Sequence, residues 1–203
     1  MPNIAVVNYG GGNTRSVTLA LERFGAKPIL ATEPKHIENA DSIVFPGQGA
    51  NDPSMRNLRK SNLVEPILNF VNSGRPFLGV CLGLQLLFEN SEEGIEPGLG
   101  IFKGSVKKLP NDVKIPHMGW NMVNFKQTDA TLLQLPQNDY FYFVHSYYVE
   151  PSDTSLICGI TQYGLSFCSA VAFKNIFAVQ FHPERSGEVG LKIYENFVSI
   201  SNN

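Results

Sequence analysis

The sequence has few of the features that direct a chain to a membrane, a nucleic acid or an oxidising compartment. No uninterrupted apolar run approaches the roughly 20 residues that a spanning helix needs. Met1-Pro2-Asn3 passes straight into the short apolar run 4–7 with no basic leader, so no signal peptide is expected and the protein should be soluble and cytoplasmic. Cysteine is scarce: Cys81, Cys158 and Cys168 are an odd number without metal-ligand spacing, which fits a reducing cytosol better than a disulfide framework. Sixteen basic against eighteen acidic side chains give a net charge of −2, so overall charge offers no footprint for nucleic acid or an anionic membrane. No repeat, low-complexity tract or long linker divides the chain. Its 203 residues, 43% of them apolar, are enough for one domain with a full core, expected over residues 1–203.

What is present alternates. The β-branched run 4–7 leads to Gly10-Gly11-Gly12, then Asn13 as a helix cap, then Val17, Ala20, Leu21 and Phe24 at helical spacing. A dinucleotide fingerprint starting at Gly10 would need glycine where Arg15 stands, so the segment reads as turn and cap, and no cofactor is expected. Apolar runs follow at 28–30 and 42–45, the second expected to stop at Pro46-Gly47-Gln48-Gly49. Leu63, Val64, Ile67, Leu68 and Val71 make an amphipathic helix. The run 76–80 suits a strand covered on both faces and leads through Cys81 into a helix expected over 82–89. Later strand-like runs at 140–149, 166–173 and 176–181 precede a closing helix over 188–199. The fold class that follows is α/β, with an open, mixed, mostly parallel central sheet flanked by helices and extended by antiparallel additions.

Two segments carry chemistry. Gly79-Val80-Cys81-Leu82-Gly83 has the G-x-C-x-G form of a nucleophile elbow, in which flanking side chains would collide unless they are glycine. A sulfur at a helix start meets unpaired amides that favour thiolate. The same pattern also suits a small buried cysteine whose glycines merely permit strand–helix packing. Cys158 and Cys168 lie inside apolar strand-like runs and read as structural. Of the four histidines, His182 ends an apolar run and is followed by Pro183 and Glu184, a base with an orienting carboxylate at a strand end. Taken alone, it is equally a surface turn with an incidental ion pair. His36, in the polar stretch 33–39, is expected to face solvent.

Together, Cys81 and His182-Pro183-Glu184 resemble the motifs of the class I, or triad, glutamine amidotransferases, in the same order and in a domain of similar size. The resemblance runs nearly end to end, through Asn8-Tyr9-Gly10-Gly11-Gly12-Asn13, Pro46-Gly47-Gln48-Gly49, the elbow with Leu84-Gln85-Leu86-Leu87-Phe88, His117-Met118-Gly119-Trp120-Asn121, Phe143-Val144-His145-Ser146-Tyr147-Tyr148 and Gln180-Phe181-His182-Pro183-Glu184-Arg185-Ser186-Gly187-Glu188. It implies a flavodoxin-like fold and a glutaminase in which Cys81 attacks the carboxamide, His182 transfers protons and Glu184 orients His182. It further implies an oxyanion hole from the amide of Leu82 and the Gly47-Gln48 turn, and substrate contacts at Gly49, Gln85, His145, Ser146 and Tyr147. Where the family commonly has an aliphatic residue and an aspartate, this chain has Gln48 and Asn8.

The resemblance also implies a heterodimeric partner, a cyclase subunit of (β/α)8-barrel fold that receives the ammonia. Asn13 and the segment His117, Met118, Gly119, Trp120 and Asn121 would form or support that interface, with Trp120 either an aromatic anchor or a core residue. The alternatives are a glutaminase serving a different synthase, such as that of pyridoxal phosphate, a non-catalytic module of the same fold, and a cysteine hydrolase of related architecture.

Overall fold

The computed structural model describes residues 1–10, 13–126 and 135–202. Gly11 and Gly12, and with them two-thirds of the expected glycine turn, lie outside the described residues. The chain runs β1 (Asn3–Val7), α1 (Thr14–Arg23), β2 (Lys27–Ala31), α2 (Pro34–Glu38), β3 (Ser42–Gly47), α3 (Asn51–Lys60), α4 (Val64–Asn72), β4 (Phe77–Cys81) and α5 (Leu82–Gln85). It continues through β5 (Phe88–Ser91), β6 (Phe102–Lys108), β7 (His117–Phe125), β8 (Asn138–His145), β9 (Tyr147–Pro151), β10 (Ile157–Tyr163), β11 (Leu165–Phe173), β12 (Ile176–Val179) and α6 (Gly187–Ile200).

The centre of the sheet is parallel, in the order β2-β1-β3-β4-β12, and β11, β10, β7 and β8 extend it antiparallel from β12. β3, β4 and β12 are buried at every position, which is why they read as continuous apolar runs rather than alternating ones. Alternate residues along them enter two cores. Ile43, Phe45 and Phe77 pack under α3 and α4 with Leu58, Ile67 and Phe70, whereas Val44 and Leu78 pack under α1 and α6 with Leu21, Tyr194 and Phe197. No helix among the described residues is long and apolar enough to cross a membrane.

Two expectations need correction. β3 does not stop at Pro46: Pro46 and Gly47 pair with Val80 and Cys81 of β4. The amide of Ile43 faces the β4 side, donating to the Pro76 carbonyl, so the missing N–H of Pro46 falls by alternation on the β1 side, where pairing has already ended at Val44. The helix expected over 82–89 is a single turn ending at Gln85. Its apolar continuation is captured elsewhere. Leu86 and Leu87 carbonyls accept the Leu99 and Phe102 amides, and Phe88 opens β5 against β6.

Candidate active site

The site lies where β3, β4 and β12 end, outside the carboxyl edge of the parallel strands, where open α/β sheets place ligands. Cys81 is the last residue of β4 and the N-cap of α5, with φ 55° and ψ −110°. Such a backbone costs a residue with a side chain on the order of 1–3 kcal/mol and persists only where the surroundings impose it. Here they do. A Cβ on Gly83 would stand 1.8 Å from the Phe45 carbonyl oxygen, one on Gly47 2.5 Å from Leu82 Cβ, and one on Gly79 2.8 Å from Ala178 Cβ and 3.1 Å from the Gly83 oxygen. Three glycines thus let β3, β4 and the first turn of α5 press together around the sulfur. The Leu82 amide, in that first turn, has no acceptor within its own helix.

His182 precedes the 3-10 turn Pro183–Arg185 and is buried with Glu184, each side chain 2% exposed. Its Nδ1 lies 2.9 Å from Glu184 Oε1, and the Tyr194 hydroxyl donates to the other carboxylate oxygen at 3.3 Å. The carboxylate therefore fixes Nδ1 as the donor and leaves Nε2 for the pocket, where it has no hydrogen-bond partner among the described residues. Burial alone would push the imidazole pKa down, but the Cys81 sulfur, followed by Glu184, outweighs it and raises the value to about 10. The sulfur thus acts on the imidazole electrostatically, although Nε2 makes no hydrogen bond of ordinary geometry to it.

The sulfur is 3.6 Å from Gln180 Nε2 and 4.0 Å from the Val144 carbonyl oxygen. Beside it opens a cavity of about 380 Å³. Of the residues expected at the site, Cys81, Leu82, Gln48, Gly49, Gln85, His145, Ser146, Tyr147 and His182 line this cavity. Gly47 stands behind the elbow and Glu184 behind His182. The Gln85 amide is already engaged on its nitrogen side: Nε2 donates to the Tyr147 carbonyl and to Gln180 Oε1, both at 2.9 Å. Its oxygen is what remains for a ligand.

Glu93, Arg185 and Gln180 were not foreseen. Glu93 and Arg185 line the cavity with opposite charges, and burial raises the pKa of Glu93 above the usual carboxylate range. Cys158 and Cys168 are buried, and burial pushes the Cys168 thiol up to about 12, an inert state at neutral pH. His36 is only partly exposed: its ring accepts the Thr32 amide and meets Glu33, and it does not line the cavity.

His117 is buried rather than surface-facing. Its ring stacks on Phe143 and Tyr163, with centroids 4.8 and 3.9 Å away, and its Nδ1 lies 2.9 Å from His145 Nε2. His145 Nδ1 donates to the Tyr147 carbonyl at 2.8 Å, so His145 Nε2 must accept, His117 Nδ1 must donate, and His117 Nε2 accepts the Asn121 amide at 3.2 Å. Burial pulls the pKa of His117 to about 4 and that of His145 to about 3, so both are neutral at physiological pH. Asn13 caps α1 through the Ser16 amide.

Comparison with known proteins bears on this geometry directly. The family described as glutamine amidotransferase class-I matches residues 5–200. The chain belongs to the class-I glutamine amidotransferases. Among curated relatives of this amidotransferase, a protein of Nostoc punctiforme named imidazole glycerol phosphate synthase subunit HisH is 49% identical, the match covering 98% of this chain and 96% of the relative. One of the same name from Thermosynechococcus vestitus is 48% identical over 98% of this chain and 97% of its own. Two solved structures share the fold at a TM-score of 0.76 each. One, described as a glutamine amidotransferase, is 16% identical, with 98% and 99% of the two chains covered. The other, PurLQS from Thermotoga maritima, is 19% identical with 98% of each covered.

One further surface of the amidotransferase domain adjoins the pocket. On the β7–β8 hairpin, Met118, Trp120 and Tyr140 are 61%, 56% and 55% exposed, and Met122 is exposed beside them. The register places Trp120 opposite Tyr142 and Met118 opposite Val144, which also lines the cavity. Trp120 is therefore no core residue, and its face of the ladder leads through Tyr142, over which the Arg185 guanidinium lies, to Met118 and Val144 at the site.

Proposed function

We propose that this chain is the glutaminase subunit of an imidazole glycerol phosphate synthase, hydrolysing L-glutamine to glutamate and passing the ammonia to a cyclase subunit. The observation that carries the reading is the placement of Cys81 and His182 at one cavity wall, with Glu184 behind His182 on Nδ1.

The thiolate of Cys81 attacks the carboxamide carbon, and negative charge gathers on the former carbonyl oxygen. We assign its stabilisation to the Leu82 amide and an amide of the Gly47-Gln48 turn. The tetrahedral species collapses as His182 Nε2–H gives its proton to the departing nitrogen, releasing ammonia and leaving a glutamyl thioester. Neutral His182 then takes a proton from water, whose oxygen displaces the sulfur to give glutamate and restore the pair. Glu184 keeps the ring oriented throughout and offsets the imidazolium charge. At the cavity mouth the Gln85 oxygen and Glu93 suit the α-ammonium of glutamine, and Arg185 suits an anionic group.

Ammonia free in water at neutral pH is mostly protonated and no longer a nucleophile, so its producer belongs on its consumer. We assign the apolar β7–β8 face to the partner, a cyclase of (β/α)8-barrel fold acting on a phosphorylated imidazole-carboxamide ribonucleotide, with the complex in the cytoplasm. A steady-state glutaminase assay of the chain alone, with the cyclase, and with cyclase plus its acceptor ligand tests the reading. Activity should be lowest alone and highest with ligand; full turnover by the isolated chain, unchanged by partner or ligand, would overturn it.

A further inference from the structure

Gln180 lies in the segment that leads to His182 but takes no part in the steps above. It is fully buried, its side-chain Nε2 3.6 Å from Cys81 Sγ, an ordinary separation for a donor on sulfur, and its Oε1 accepts from Gln85 Nε2 at 2.9 Å. An amide can present either its oxygen or its nitrogen to a neighbour, and its direction here is settled by groups that cannot turn. The Tyr147 carbonyl can only accept, so the Gln85 group that meets it at 2.9 Å is Nε2. The second hydrogen of that nitrogen reaches Gln180, which must offer oxygen there. Its own NH2 is thereby directed at the sulfur. The same Tyr147 carbonyl also receives His145 Nδ1–H at 2.8 Å, so it is occupied from two sides and cannot be lent elsewhere.

We propose that Gln180 is a positioning residue for the nucleophile: its buried amide holds Cys81 as the thiolate aligned for attack, in a polarity imposed from the Tyr147 carbonyl through Gln85. The donor is itself fully buried, so its N–H is held on the side of the sulfur that faces away from the cavity solvent and offers a charge-assisted hydrogen bond there. Val144 supplies the opposite contact, a carbonyl 4.0 Å away that suits a protonated thiol. His182, on the same cavity wall, sets the balance between the two forms together with the Gln180 amide.

The role rests on Cys81 being the nucleophile, yet its test needs no turnover. Alkylation of the full-length chain by iodoacetamide, located by mass spectrometry and followed against pH, reads the sulfur itself. Gln180→Met and the isosteric Gln180→Glu should both move the half-maximal pH upward by about one unit, the usual strength of a hydrogen bond to an ion. A residue that only filled space would lower the melting temperature and leave that profile in place. Gln85→Glu supplies a second reading at a cavity-lining position. A carboxylate there cannot donate, so the Gln180 amide must reverse and present oxygen to the sulfur, again moving the profile upward. In a Gln180→Met background nothing can reverse, and the added effect of Gln85→Glu should shrink to that of its charge alone. Equal effects of Gln85→Glu in both backgrounds, or a profile unmoved by both Gln180 changes, would overturn the role of Gln180 alone. Labelling at Cys158 or Cys168 in place of Cys81 would overturn the nucleophile reading beneath it.

Discussion

The proposed chemistry rests on two side chains, Cys81 and His182, on one cavity wall. The raised value of His182, about 10, depends on the sulfur first and on Glu184 second, against a burial that works the other way. Removing the sulfur should expose that burial. In a Cys81→Ala variant the His182 titration, followed by NMR, should fall well below about 10 while the Glu184 contact persists; an unchanged midpoint would show that the sulfur carries no charge in the resting site. The same variant should release no ammonia. His182→Ala should cost roughly 10²–10⁴-fold in kcat, the usual range for a positioned acid–base group. Glu184→Gln should cost less, because an amide still meets Nδ1 but does not offset the imidazolium charge; a larger loss from Glu184→Gln than from His182→Ala would assign proton transfer to the wrong residue. Cys81 and His182 stood out in the sequence because strand–turn–helix and strand-end patterns are local, yet each pattern alone also fitted a structural residue, and only their combined resemblance to the triad amidotransferases pointed to chemistry. Glu93 and Gln180 were not, since each acquires its role from residues dozens of positions away.

The elements that hold these residues differ in how openly the sequence announced them. β3 and β4 were legible as apolar runs because each is buried along its own length, and α6 was legible because one face of it, through Ile193, Tyr194, Phe197 and Val198, is buried. α5 was misjudged since Leu84, Leu86, Leu87 and Phe88 continue a helical pattern, and only the capture of their backbone by Leu99 and Phe102 ends it. The elbow itself is tightly packed. Gly83→Ala places a carbon in contact with the Phe45 carbonyl, so β3 or α5 must move, at a stability cost of about 1–3 kcal/mol and with loss of activity. Thermal unfolding and a glutaminase assay check both effects, and a fully active, equally stable Gly83→Ala chain would contradict this packing. β7 and β8 meet through the His117–His145 pair, whose pKa values are depressed to about 4 and about 3. The unfolded chain therefore binds more protons than the folded one below about pH 6.5, the ordinary histidine value, so stability rises with pH through this window and is lost as pH falls toward 4. In His117→Phe that slope, measured between about pH 4 and 6.5, should be smaller than in the wild-type chain. An unaltered slope would mean that His117 is protonated in the folded chain.

The parallel half of the sheet carries Cys81 and leads into His182, and the antiparallel half lines the pocket with Val144 while the same face of its ladder continues outward through Met118, Trp120, Met122 and Tyr140. One strand pair thus joins the cavity to the face assigned above to the partner: Val144 lines the cavity, and Met118, opposite it in the register, lies on the exposed face with Trp120, Met122 and Tyr140. Leaving four large apolar side chains in water is unfavourable unless something covers them. Trp120 is the sequence's only tryptophan, and its ring meets Tyr142 edge-on at 6.3 Å, while the Arg185 guanidinium lies over the other partner, Tyr142, at 4.3 Å. An aromatic anchor of this kind commonly carries a large share of binding energy, so Trp120→Ala should weaken association with the cyclase by about tenfold or more. It touches none of Cys81, His182 or Glu184, so glutaminase turnover of the isolated chain should be retained. The two effects separate in one experiment. Titrating cyclase into wild-type and Trp120→Ala chains while following ammonia release should give curves that start together and reach the same ceiling, with the variant displaced to higher cyclase concentration. Superimposable curves would remove Trp120, and with it the β7–β8 face, from the interface.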